Sequence, residues 1–211
     1  MKIESINIGL PTGVSLDGKM VTTGIYKQPV AEAIRVGVNG LEGDGVGDLK
    51  HHGGRDKAVC VYSADYYSYW EEVLSVKLPV AAFGENFTLS DMKESEVCIG
   101  DVFEVSGVLL QVSQPRQPCR TLAARHNRND LVKLVVDSGY TGFYFRVLKE
   151  GVVKTGDVLI LKERPHAEIS VAFANHTFHH DKHNRQAVEK VLSAKELSLS
   201  WQESFSKLLE K

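Results

Sequence analysis

Cysteine is scarce in this chain, and its few copies stand far apart. Cys60, Cys98 and Cys119 are the only three among 211 residues. None of them takes part in a CxxC or CxxH pair, which argues against a zinc ribbon or an iron–sulfur cluster. Long apolar runs are missing too: nothing approaches the roughly 20 residues that a membrane-spanning helix needs. The first ten residues, MKIESINIGL, include an early glutamate and lack the apolar stretch of a signal peptide, so a cytoplasmic protein without membrane contact is expected. Neither sign of charge dominates. Twenty-five Lys and Arg face 27 Asp and Glu, a net charge of −2, so no global basic field points to nucleic acid and any anion binding must be local. The G-x-G-x-x-G fingerprint of flavin and nicotinamide folds is also missing.

What is present is ordinary for a globular protein: 43% hydrophobic and 25% charged residues, enough for one sizeable domain with a small appendage. Residues 3–8, 34–38, 102–112, 143–148 and 158–161 have the pattern of short strands, several of them opened by Gly-Asp or Ser-Gly turns. Behind a possible cap at Ser63, Tyr66, Trp70, Val73 and Leu74 share one helical face. Many short strands with glycine turns favour an antiparallel or mixed β-barrel with a few helices. After Arg164-Pro165 the character changes. From Glu168 onward glycine and proline are absent, and residues 169–179, 184–194 and 200–210 each suit a helix. A capping box, Ser200 to Glu203, would open the third, whose apolar face runs from Trp201 to Leu209. The division expected is residues 1–165 for the barrel and 166–211 for three helices. The helices are too small to bury a good core alone, so they would wall the cleft or pack on the barrel or a second subunit, as in a homodimer.

Three stretches carry chemistry. QPRQPCRTL, residues 114–122, sets Cys119 among prolines and guanidinium groups. The prolines exclude a regular helix there, and nearby positive charge favours thiolate over thiol. Such a thiolate suits a nucleophile or a soft-metal ligand, or it fills space in a loop. Cys60 in AVCVY and Cys98 in EVCIGD sit in apolar, strand-like settings and belong to the core. HHGGRDKAV, residues 51–59, ends a run with seven glycines between Gly37 and Gly54. Such a run is no helix, and its backbone can approach a ligand closely. On an extended backbone His51 and His52 would point oppositely, which opposes joint ligation of one metal. Gly53-Gly54 could form an anion-binding nest, with Arg55 and Lys57 beside it, or simply a solvated turn. In FGENFTL, Asn86 could bond a heterocycle edge or only its own turn. His176 with His180, and His179 with His183, are i,i+4 pairs that lack a compelling third ligand.

Taken in order, LEGDGVGDLKHHGGRDKAV, FGEN, VCIGDVFEV and VSQPRQPC resemble the MOSC domain, the C-terminal domain of molybdenum cofactor sulfurases, over about residues 20–162. The tail LSAKELSLSWQESF is similar to the three-helix domain of the YiiM-like branch. The resemblance implies a mainly β barrel with helices, an α+β fold, with a cleft for the molybdenum cofactor, followed by three helices. It places the cysteine of an R-x-P-C motif on Cys119 as metal ligand and catalytic residue. His52, Gly53, Gly54, Arg55, Lys57, Asn86 and Arg116 would hold the cofactor around it. Pyridoxal phosphate binding is a further family-level association. The sequence departs at Arg55, where a relative has proline, and at Arg120-Thr121. The implied activity is reduction of N-hydroxylated compounds, amidoximes and hydroxylaminopurines such as 6-hydroxylaminopurine, with electrons from a separate reductase. Two other readings stay open: a cofactor or sulfur carrier that does not turn over, and a thiol hydrolase.

Overall fold

The computed structural model describes every residue except Asp17 and Lys211. The chain opens with strands β1 (Lys2–Ile8), β2 (Thr12–Leu16), β3 (Lys19–Thr23), β4 (Gln28–Val30), β5 (Ile34–Gly37) and β6 (Gly40–Leu41). The short helix α1 (Leu49–His52) and a 3-10 turn at Arg55–Lys57 lead into β7 (Val59–Ser63). A second 3-10 turn, Ala64–Tyr66, feeds α2 (Tyr67–Leu74), and β8 (Phe87–Ser90), β9 (Val102–Val105) and β10 (Val108–Pro115) follow. Helices α3 (Arg120–Arg125) and α4 (Leu131–Ser138) precede β11 (Phe143–Lys149), β12 (Gly151–Val153) and β13 (Ile160–Glu163). The chain ends in α5 (Val171–His180), α6 (Arg185–Leu192) and α7 (Leu199–Leu209).

Eight strands form one sheet in the order β13-β9-β10-β11-β7-β8-β1-β4, antiparallel except between β7 and β8. The sheet curls until β1 meets the stretch that leads into β13. Lys2 bridges Val158, Ile3 N donates to Asp157 O at 2.9 Å and Gly156 N to Ile3 O at 2.8 Å. This is the expected barrel. Its interior is filled by alternate residues of each strand: Val59 and Val61 of β7 and Phe143 and Phe145 of β11 all join one core. The residues between them face outward. Tyr62 belongs to a second cluster with Trp70, Phe83, Leu122 and Leu131, where its ring stacks on Phe83 at 4.0 Å. The barrel wall therefore separates two apolar layers, and the outer one is capped by α2, α3 and α4.

The last three helices do not form a core of their own. Ala174, Val188, Val191, Trp201 and Phe205 are part of the barrel's cluster, and the apolar face of α7 is covered within the molecule, where Trp201 and Phe205 pack on Phe178 of α5. Among the described residues, no helix is long and apolar enough to cross a membrane.

Three local expectations need correction. The cap of α7 is Ser198, which accepts a hydrogen bond from Trp201 N, rather than a box beginning at Ser200. The serine two residues earlier has the extended backbone a cap needs. The glycine-rich run does contain a helical turn, α1. Asp48 caps it by accepting from Lys50 N and His51 N, enough to hold four glycine-free residues. Helices α3 and α4 were not foreseen at all.

Candidate functional site

A cavity of about 570 Å³ lies outside the barrel wall, between β7, β11 and the glycine-rich run. Two glycines shape its wall. A Cβ on Gly47 would lie 2.0 Å from Thr22 O, and one on Gly24 would lie 2.1 Å from Gly45 O. Only bare backbone lets residues 44–49 press against residues 22–24. Asp44 ties this loop down. It accepts from Gly9 N at 2.9 Å and Asn86 Nδ2 at 2.8 Å, and it pairs with the buried Lys27.

Cys119 ends the proline-bearing loop from β10, as expected, and stands at the N-cap of α3. Its thiol is partly buried, which pushes its pKa up. The hydrogen bond with His52 and the charge of Arg116 more than reverse this, bringing it down to about 6. Arg116 is only 7% exposed. Burial opposes its charge, but Cys60, Tyr144, Cys119 and Glu85 around it hold it firmly protonated. Lys57 projects from the 3-10 turn and donates to His51 O at 2.7 Å. Burial lowers its pKa, against the pull of Asp56 and Asp48.

The two adjacent histidines do part company, although on a helical turn and not an extended strand. His51 Nδ1 meets Asp48 Oδ2 at 2.6 Å on the outside, while His52 lines the cavity. Gly53 and Gly54 line it as well. Their backbone, however, is extended at Gly53 (φ −103, ψ −178) and at φ 98, ψ 163 for Gly54. The concave αR–αL arrangement of a nest is not formed, because Lys57 N closes the turn onto Gly54 O. Arg55 is exposed and outside the lining. Asn86 lines the cavity, yet its donors are spent on Asp44 and Asn7 O, and its Oδ1 accepts from Cys60 N at 3.0 Å. It is a clamp between loops.

Cys60 and Tyr144 are among the lining residues that were missed. Cys60 is buried, as foreseen, but it lines the cavity beside Tyr144, its cross-strand partner on β11. The Tyr144 hydroxyl has its pKa raised by burial first and then by Cys60. Strand alternation held the signal. Once Val59 and Val61 face the barrel, Cys60 must face away, and the same holds for Tyr144 between two phenylalanines. No described residue beyond Tyr144 lines the cavity, so the three-helix unit is not a wall of the cleft. His176 and His180 set their rings 5.5 Å apart, tilted by 42°. Among the described residues, no three His, Cys, Asp or Glu side chains are grouped to hold a metal ion. A metal held by Cys119 would therefore need ligands that arrive with a cofactor.

This architecture has known counterparts. Residues 48–160 match the family model of the MOSC domain, and residues 169–211 match that of the YiiM-like, 3-alpha helix domain. The chain belongs to the MOSC domain family, in its YiiM-like form. It is 50% identical over 205 residues to the uncharacterized protein YflK of Bacillus subtilis, covering 97% of this chain and 93% of that one. It superposes on the crystal structure of YiiM from Geobacillus stearothermophilus with a TM-score of 0.84 at 41% identity, covering 99% and 98% of the two chains. A protein of Gibberella moniliformis called a reductase is 35% identical over 158 residues, 73% of this chain but 28% of that longer one. Nothing in these matches supports pyridoxal phosphate.

Proposed function

We propose that the cavity holds a molybdenum cofactor, with Cys119 as the protein ligand of the metal, and that the protein reduces N-hydroxylated compounds such as hydroxylaminopurines and amidoximes. The observation that carries this reading is a thiolate, at a pKa of about 6, facing a cavity that also presents Lys57 and Arg116. The donor set fits the group: a soft sulfur for a metal already bound by dithiolene sulfurs, and cations for a pterin phosphate. The relative named a reductase supports the class of reaction. When bound, the cofactor supplies two-electron redox chemistry.

The reaction consumes two electrons and two protons: R–NH–OH becomes R–NH2 and water. Lys57 and Arg116 bind anionic parts of the cofactor. His52, bonded to the Cys119 thiol on one side, holds that side chain in place. It is also the titratable group placed to pass protons inward from the cavity's mouth. Tyr144 and Cys60 close the floor and keep water from the sulfur. Electrons come from a separate reductase. The test is expression in a host that makes the cofactor, followed by elemental analysis and assay on 6-hydroxylaminopurine with a chemical donor. The wild type should bind molybdenum and turn over, and Cys119→Ser should lose both while keeping its melting temperature. Molybdenum without turnover would favour a carrier.

A further inference from the structure

The three-helix unit does not reach the cavity, yet its last helix touches a segment that does. Leu199, the first residue of α7, donates its backbone N–H to Asp56 Oδ2 at 3.3 Å. Asp56 stands between Arg55 and Lys57 in the 3-10 turn below the cavity. Its Oδ1 accepts from Arg146 of β11 at 2.9 Å, and its carbonyl accepts from Ser113 Oγ at 2.5 Å. The residues flanking Leu199 grip β10 as well: Ser198 N donates to Ser113 O at 2.9 Å, and Ser200 Oγ to Gln114 Oε1 at 3.3 Å.

From Asp56 the contacts run into the site. Its neighbour Lys57 donates to His51 O, and His52, next in the chain, is bonded to Cys119. We infer that Asp56 is a positioning residue through which the start of α7 holds residues 49–57, the lip of the cavity, in place. The lip needs such an anchor. It consists of a four-residue helix, two glycines and one 3-10 turn, none of which buries a side chain. Segments so poor in buried contacts open easily unless tied from outside. The inference stands whichever ligand the cavity takes.

One substitution cuts the link with little else. Leu199 is the first helical position of α7, where proline's missing N–H and fixed φ are well tolerated. Ser198 before it has φ −58 and ψ 148, the conformation a residue preceding proline prefers. Leu199→Pro therefore removes the donor and pushes the carboxylate aside while the helix remains. Leu199→Ala keeps the donor and is the control. Hydrogen exchange of the unliganded full chain, read on peptides spanning residues 48–58, measures the lip directly without reference to activity. Exchange should quicken about tenfold in Leu199→Pro over Leu199→Ala. Adding Leu199→Pro to Asp56→Ala should produce no further gain, because Asp56→Ala already removes the Leu199 contact together with that of Arg146. Equal exchange in the proline and alanine variants would overturn the inference. So would a matching rise in the β9–β10 hairpin, which would report loosening of the whole barrel.

Discussion

Replacing His52 by alanine tests the electrostatics of the site at its centre. In the folded protein the Cys119 thiol has a pKa of about 6, against an ordinary 9.0. Three units correspond to about 4 kcal/mol of preference for the thiolate. Burial works against that preference, so it rests on the supports that outweigh burial: His52 first, then Arg116 and the Leu122 backbone N–H. Without His52, burial remains and one support goes. The pKa should then climb by at least about 1–2 units, and the thiolate share at pH 7 should fall from about 90% to less than half. Alkylation by iodoacetamide of cofactor-free protein, followed by intact mass across pH 5–10, reads this as the midpoint of the rate profile. The wild type should show a midpoint near 6, and His52→Ala one clearly higher. The same midpoint in both proteins would refute the account, as would a wild-type midpoint near 9. The shift also links to folding. Because the folded pKa is depressed, the thiolate's contribution to stability is full above about pH 9 and is lost as pH falls through about 6. His52→Ala should flatten that slope in chemical denaturation measured across the same range.

Two further substitutions probe the wall and the anion grip. Gly47→Ala, whose Cβ would sit 2.0 Å from Thr22 O, should cost about 1–3 kcal/mol in chemical denaturation; an unchanged midpoint would show that the loop yields freely. Lys57→Ala should lower the molybdenum and pterin content of purified protein more than its melting temperature, since it removes a charge-assisted contact and no core packing.

Much of this is legible in the sequence. Strand periodicity marked the barrel, and a glycine-free tail with well-spaced apolar residues marked three helices. The R-x-P-C stretch marked the thiolate. What escaped notice has physical reasons. Helix α4 carries Val132, Val135 and Val136, β-branched residues that favour strands, and Asp130 before it makes no side-chain cap. Only the burial of Leu131 and Val135, one turn apart, betrays the helix. Helix α1 is four residues long and exists by virtue of one aspartate cap, a signal easily lost among glycines. Gly53-Gly54 admits several backbone shapes at little cost, so its sequence could not choose between a nest and the extended turn that forms. Asn86, open in the sequence between a heterocycle contact and a turn, bonds Asp44, Asn7 and Cys60, partners 42, 79 and 26 residues away. No local pattern announces such contacts.

The lining of the cavity comes from places along the chain as distant as Val21 and Tyr144, and this bears on the order of events in the protein's synthesis. Each pairing of remote segments must overcome the entropy of closing a long loop before it is rewarded. The site requires β7 and β11 to be paired, the residue 44–49 loop to be pinned by Asp44, and Cys119 to be swung beneath His52. It is thus completed late, after the barrel has formed. Under the proposed function, a large anionic cofactor would find no partial binding surface on the nascent chain to template folding. It would be loaded through the mouth of a finished protein, and the empty form would leave its thiolate open to oxidation.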